Sequence, residues 1–468
     1  EVGVPEVRVT DLMGAERTMA AGADGALALT LTQCPVYVHG ADPALFLAAG
    51  RPAVEPEPSL YRAFPGDRVT IRGYLENPFD RSLEGEWKVA LPAELDAASG
   101  AEAVTLAARE RKPLTVEVRV DGGAACRIYP VRLVLSEAGK PVGRGLARVD
   151  VQPPVAIVSA APAFGEQGER SLALTLENRR DRAVSGRVSV ARGGKTIREI
   201  DCRLEGGGAH KVLCPLPGEA APDPARRWPF DVVFREADTG ASVSSRMEMS
   251  FVRSARMDKP PALDGDLSEF REAPPTALKD AGLTRLKEVW RGPSDVSGTV
   301  YLGWDSEAFY LGVDVRDDRF HQEHTGVMTW LGDAIQVAFD PLPGRPQEYD
   351  QQSTEYRKKH SEYILALTTN GPSVYRSHGL DKRRPVGPVA EDEVKLAVRR
   401  TETGLVYEAA FPWESLSMGA PQPGQVLGLA LTLNDLDQKG DPFLGLEWFG
   451  GIFYVKDPDR FGQVVLAP

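Results

Sequence analysis

The sequence predicts an all-β chain: two tandem immunoglobulin-like β-sandwiches followed by a larger jelly-roll-type β-sandwich. Three observations predict it. Glycine (46) and proline (37) together exceed one residue in six of the 468, which favours many turns over long helices. Short Val/Leu/Thr runs recur at spacings of roughly 8–12 residues with turn residues between them, the rhythm of antiparallel sandwiches. Within the runs apolar and polar residues alternate, as at Val69 and Ile71 in DRVTIRGYLEN. The length asks for about three cores rather than one.

Residues 1–48 hold two hairpin-like runs, VPEVRVTDLMGAERTM and GALALTLTQCPVYVHG, with turns at LMGAE and AGADG. So few strands cannot bury a core alone, so the segment is expected to complete a β-domain lying upstream. Residues 49–153 open with a Pro-rich linker, AGRPAVEPEP (49–58), and continue into the first immunoglobulin-like sandwich. Residues 154–254 repeat the pattern. ERSLALTLENRRDRAVSGRVSV parallels DRVTIRGYLENPFDRSLEGEWKV, with LEN followed by a charged turn in both. Neither sandwich carries a clustered His, Cys or carboxylate constellation, and both are expected to be spacers.

From residue 255 to 468 the character shifts to long amphipathic strands, such as TVYLGWDSEAFYLGVDVRDDRF and VLGLALTLNDLD, with AFPWESL expected to form one helical turn. Five of the seven Trp fall after residue 289. A two-sheet jelly roll accounts for this segment.

Net charge is −12, which argues against nucleic-acid and anionic-membrane partners. No apolar run reaches the roughly 18–20 residues that span a bilayer. The chain begins at Glu1 without a leader pattern, so a processed form or fragment of a longer protein is expected. Four cysteines (Cys34, Cys126, Cys202, Cys214) are too few for a disulfide scaffold. Cys202 and Cys214 flank a glycine-rich turn, which allows either a bridge between adjacent strands or free thiols.

The stretch MTWLGDAIQVAFDP (328–341) poses the sharpest question. Asp333, Ile335, Val337 and Phe339 share one strand face, which reads as core. Ala334, Gln336 and Ala338 share the other, with Trp330 at its edge. A face of two alanines and an amide beside an indole suits a flat ligand lying against an aromatic wall.

Seven elements occurring in order carry a resemblance: LDGDLSEF, GWDSEAFYLGVDVRDD, WLGDAIQVAFDP, EYILALT with its NGP turn, GLVYEAAFPWESL, GLALTLND and LEW…KDPDRFG. This segment resembles the family 9 carbohydrate-binding modules and their wider DOMON-like superfamily. The resemblance implies a non-catalytic domain that clamps a sugar between two aromatic side chains, here Trp330 and Trp448. It implies Gln336 as a wall residue where relatives have a carboxylate, an exchange that keeps hydroxyl hydrogen bonds but loses charge assistance. Asn434 is a further wall candidate, and Arg357 a candidate that reaches over the seat. Trp304 and Trp413 are expected to serve packing. The family also implies structural calcium. Asp264 and Asp266 in LDGDLSEF are the expected ligands, and Asp317 and Asp318 in VRDDRF are similar oxygen donors at a turn.

The N-terminal segment resembles the closing strands of the β-domain that follows the barrel in many glycoside hydrolases, through DLMG (11–14) and PVYV (35–38). That likeness implies a secreted parent glycoside hydrolase whose catalytic barrel lies outside this chain, and no catalytic centre within it. Two alternatives stand beside sugar binding. One is a structural array of sandwiches packing on the absent barrel. The other is a haem-binding DOMON-like domain, for which Met328 and His324 are the nearest ligand candidates. Glu362 and Asp333 are candidates for a glycosidic carboxylate pair, ranked last because Asp333 has core parity.

Overall fold

The computed structural model describes the chain except residues 1–3, 12, 22–26, 28, 30–35, 41–53, 98–99, 166–167, 218–222, 344–359, 380–382 and 454–455. The described residues are strands joined by turns and short 3-10 segments, as expected of an all-β protein. They group into two compact units: Glu1–Ala156 with 178–186 and 235–243, and the remainder.

The first unit opens with a three-stranded antiparallel sheet, Glu6–Asp11 lying between Glu16–Ala20 and Val36–His39. Residues 13–15 of the expected LMGAE turn are tied to Asp11. Asp11 Oδ1 accepts from Met13 N and Ala15 N, both at 2.9 Å, and Gly14 takes a φ of 85°. A four-stranded and a five-stranded sheet follow as a sandwich, with Trp87, Tyr129, Ile71 and Val116 in its core. Tyr129 reaches back to donate to Ala125 O at 2.9 Å, a corner typical of immunoglobulin-like sandwiches. The expected 49–58 linker is shorter than its proline content suggests. Val54–Pro56 is a strand paired with Arg68–Glu76, and Val54 is fully buried.

The repeated LEN has a physical reason. Asn77 Nδ2 donates to Arg81 O at 2.7 Å while its Oδ1 accepts from Phe79 N at 3.0 Å. Asn178 does the same, to Arg182 O at 2.8 Å and from Arg180 N at 3.0 Å. Each buried amide ties the charged turn to the strand that precedes it.

Strands Val155–Phe164, Arg170–Asn178 and Ala209–Pro215 form one further sheet, and Lys195–Leu204, Val184–Arg192, Trp228–Glu236 and Ser242–Met249 another. The cysteine alternatives resolve here. Cys126, Cys202 and Cys214 are free thiols; Cys126 is exposed and Cys214 buried, and burial pushes the Cys214 thiol up to about 11. Cys34 lies outside the described residues.

Residues from Val252 onward build one continuous 13-stranded sheet folded into two facing halves. The Val252–Arg256 strand joins them, pairing in parallel with Gly462–Leu466 on one side and Val296–Trp304 on the other. Phe339 of one half meets Phe309 and Phe411 of the other at ring distances of 5.6 and 4.9 Å, so the core lies between them. Trp304 and Trp413 belong to this core, their indole N–H groups donating to Ala467 O and Asp305 O. AFPWESL closes as a turn of successive i→i−3 hydrogen bonds (Ser415 to Pro412, Leu416 to Trp413, Ser417 to Glu414) rather than a helix.

Gly404 is fixed by the packing. Its φ is 149°, and a Cβ there would lie 2.0 Å from Val315 O across the strand pair. Gly404→Ala is expected to destabilise this domain by about 1–3 kcal/mol, read from its thermal transition. An unchanged midpoint would contradict this close backbone approach.

Candidate functional site

Strand alternation gives one half of the C-terminal sandwich a polar outer face. Across the Ala334–Asp340, Ser361–Thr368 and Val426–Asp435 strands, Gln336 pairs with Ile364 on one side and Thr432 on the other. Ala338 pairs with Glu362 and Ala430, and Ala334 with Asn434, so all these side chains share the outer face. Glu447, paired with Thr432, adds a carboxylate from the Leu444–Trp448 strand.

A hydrogen-bond chain crosses this face. Asn434 Nδ2 donates to Trp330 O and to Gln336 Oε1, both at 2.9 Å. Gln336 Nε2 donates to Glu362 Oε1 at 3.0 Å, which also receives Ser377 Oγ at 2.9 Å and Lys456 Nζ at 2.7 Å. Glu362 is fully buried, yet the lysine and two neutral donors all converge on one of its oxygens. Left over on the same face are Glu362 Oε2, Asn434 Oδ1 and Thr432 Oγ1, buried atoms with no partner among the described residues. Native folds rarely leave several such atoms side by side without a ligand or water to meet them.

Aromatic rings stand beside this face. Trp330, half-buried, packs with Tyr375 over Ala334, Ile364 and Ala366. Its ring meets Phe443 edge-on at 5.6 Å, and Phe443 stacks on Phe453 at 5.5 Å. Glu447 holds the loop that carries Phe453: its Oε1 accepts from Ile452 N at 3.0 Å and Phe453 N at 3.2 Å, and it is ion-paired with Arg285.

The structure brings Trp330, Gln336 and Asn434 together and corrects the remaining expectation for the clamp. Trp448 does not face Trp330. It pairs with Leu431, shares the inner face of the sheet, is fully buried in the main core and donates its indole N–H to Pro224 O at 3.2 Å. The two alanines are not an open floor either. Ala338 lies under Ile452 and Phe461, and Ala334 under Trp330. Arg357 lies outside the described residues. Glu362, Lys456, Phe443 and Phe453 stand on or beside this face and were not among the expected binding residues. Glu362 had a signal, because in SEYILALT it shares a face with Ile364 and Ala366 and alternates with the core residues Tyr363 and Leu365.

The profile of the family described as "Carbohydrate family 9 binding domain-like" matches residues 275–468. That segment resembles this family. Endo-1,4-beta-xylanase A of Thermotoga maritima is 22% identical over 209 residues, covering 44% of this chain and 17% of that protein. Exoglucanase XynX of Acetivibrio thermocellus is 24% identical over 186 residues, covering 38% of this chain and 14% of that protein. The chain therefore matches about a sixth of the length of these relatives. Among solved structures, a family 9 carbohydrate-binding module from Caldicellulosiruptor kristjanssonii in complex with cellotriose is similar, with a TM-score of 0.35 and 15% identity, covering 46% of this chain and 93% of that one.

The family 9-like module also contains two acidic clusters; each includes one of the VRDDRF donors, Asp317 or Asp318, and neither includes Asp264 or Asp266. Asp264 and Asp266 are exposed turn residues whose Oδ1 atoms accept from Asp266 N and Ser268 N. Asp295, Asp318 and Asp437 surround Arg291, whose guanidinium already supplies the positive charge. Asp317, Asp333 and Asp435 are different. Asp333 and Asp435 are buried and Asp317 half-buried, their carboxylate oxygens lie within 4.8 Å of one another, and none forms an ion pair among the described residues. Burial, then the Asp317 carboxylate, pushes Asp333 up to about 9 and Asp435 up to about 8. A cavity of about 10 Å³ lies among them, room for a single small sphere, and Asp435 Oδ1 has no partner among the described residues. Three oxygen donors with an orphaned atom and a cavity fit a hard divalent cation.

The ligand candidates for haem sit poorly for that role. Met328 is 46% exposed on a 3-10 turn, and His324 lies two residues before that turn. No helix among the described residues is long and apolar enough to cross a membrane.

Proposed function

We propose that residues 255–468 bind carbohydrate on the outer face that carries Gln336, Glu362 and Asn434. The sugar ring lies against Trp330, with Phe443 and Phe453 beside it. The observation that carries this reading is the cluster of buried oxygens without a partner among the described residues, Glu362 Oε2, Asn434 Oδ1 and Thr432 Oγ1, next to half-buried aromatic rings. Sugars need that pairing: C–H faces pack on rings while hydroxyls take acceptors at the edge. The binding needs no proton transfer, and its affinity is modest because one or two rings bury little area. The Asp317–Asp333–Asp435 cluster takes a structural calcium in place of Asp264 and Asp266. The preceding sandwiches serve as spacers in a secreted glycoside hydrolase, packing against its catalytic domain.

Isothermal titration with glucose, cellotriose and xylotriose tests the reading. Trp330→Ala is expected to weaken binding at least about tenfold, the worth of one ring stacked on an indole. Equal affinity in wild type and Trp330→Ala, or no binding at millimolar sugar, would leave the structural-array alternative standing.

A further inference from the structure

A second cleft lies at the edge of the module, next to the Leu444–Trp448 strand. Four arginines line it, Arg226, Arg227, Arg285 and Arg460, together with Leu283 and Phe449, around a volume of about 410 Å³. Among the described residues no carboxylate lines it, in a chain with 67 acidic and 55 basic residues.

The four guanidiniums are held differently. Arg226 is paired with Asp280, Arg285 with Glu447, and Arg460 Nε with Asp457 Oδ2 at 3.1 Å. Among the described residues Arg227 donates only to backbone carbonyls, Asp459 O at 3.0 Å and Glu248 O at 3.2 Å, and its buried Nε has no partner. No side-chain carboxylate pairs with it among the described residues, so one positive charge in the cleft stands without a bonded counter-charge. Phe449 supplies a flat apolar wall. It stacks on Trp448 at 5.0 Å and holds a φ of 72°, a conformation costly for a bulky residue and concentrated at functional positions.

Guanidinium forks match planar oxyanions, and an aromatic wall matches the C–H face of a sugar ring. The volume fits one or two rings. We infer that this cleft binds the carboxylate of an acidic sugar unit, a uronate, as a subsite separate from the Trp330 face. The carboxylate preference stands on the arginines. The choice of a sugar acid over a free anion rests on the carbohydrate reading of the module.

Calorimetric titration with D-glucuronate and trigalacturonate, at fixed ionic strength, tests it, with glucose and sodium acetate as controls. Wild type is expected to bind the uronates more tightly than acetate. The Arg226→Gln/Arg460→Gln double variant is expected to lose about tenfold or more of that affinity while its glucose isotherm is unchanged. Trp330→Ala should do the reverse, so failure of the neutral-sugar site and failure of this cleft are separable. A second measurement needs no variant: uronate affinity of the wild type should fall as NaCl rises from 50 to 500 mM. Uronate heats no larger than those of acetate, an isotherm insensitive to salt, or full affinity in the double variant would each overturn the assignment.

Discussion

Trp448→Ala is expected to destabilise the C-terminal domain by about 3–5 kcal/mol, the usual cost of truncating a fully buried tryptophan. For a domain of this size that corresponds to a fall of roughly 6–20 °C in its thermal transition. The reasons are local. Trp448 fills the core beside Leu431, Leu433 and Leu446, donates to Pro224 O, and supports the Phe449 ring. Alanine leaves a cavity and an unmet carbonyl at once. Trp330→Ala should behave oppositely, with a small loss of stability and a large loss of sugar affinity, because that indole is half-buried on the outer face. Scanning calorimetry paired with sugar titration on both variants separates the two roles. A Trp448→Ala protein that melts within about 1 °C of wild type would place the indole outside the core.

That contrast marks where the sequence was readable. Alternation in DAIQVAFD assigned Ile335, Val337 and Phe339 to the core and Gln336 to the other face, and the register bears this out. The strand rhythm, the recurrence of LEN and the family elements were readable because each is a local pattern. The role of Trp448 was not, since LEW is too short to reveal its own inner face. Parity there is set by Leu431 and Leu433 on the partner strand, information that only topology holds. Had Glu447 been assigned to the outer face by its charge, Trp448 would have followed as core. Sequence also offered Ala334 and Ala338 as an open floor, yet their small size admits the protein's own Trp330, Ile452 and Phe461 instead. The Asp317, Asp333 and Asp435 cluster was hidden for a similar reason. Each closes or precedes a different strand, and only the fold brings the three ends together.

Calcium is expected to raise the thermal transition of the C-terminal domain through that cluster. Metal-free, three carboxylates crowd a buried site without a cationic partner among the described residues, and burial and mutual repulsion oppose their negative charge. A bound divalent ion offsets both effects, and it stabilises only the folded state, which alone gathers the ligands. With an affinity typical of extracellular calcium sites, about 10⁻⁴ M, 10 mM calcium contributes about 2.7 kcal/mol, roughly a 5–10 °C rise over protein in EGTA. Asp317→Asn/Asp435→Asn should abolish the difference between calcium and EGTA. It should also raise the melting temperature measured in EGTA, because folding no longer has to bury carboxylates that must first take up protons. Asp264→Asn and Asp266→Asn should lose no calcium response, since those side chains cap a turn and meet no other carboxylate in the cluster. If the calcium shift survives in the Asp317/Asp435 variant but vanishes in the Asp264/Asp266 pair, the ion belongs at the turn and the buried triad is held together by protons alone.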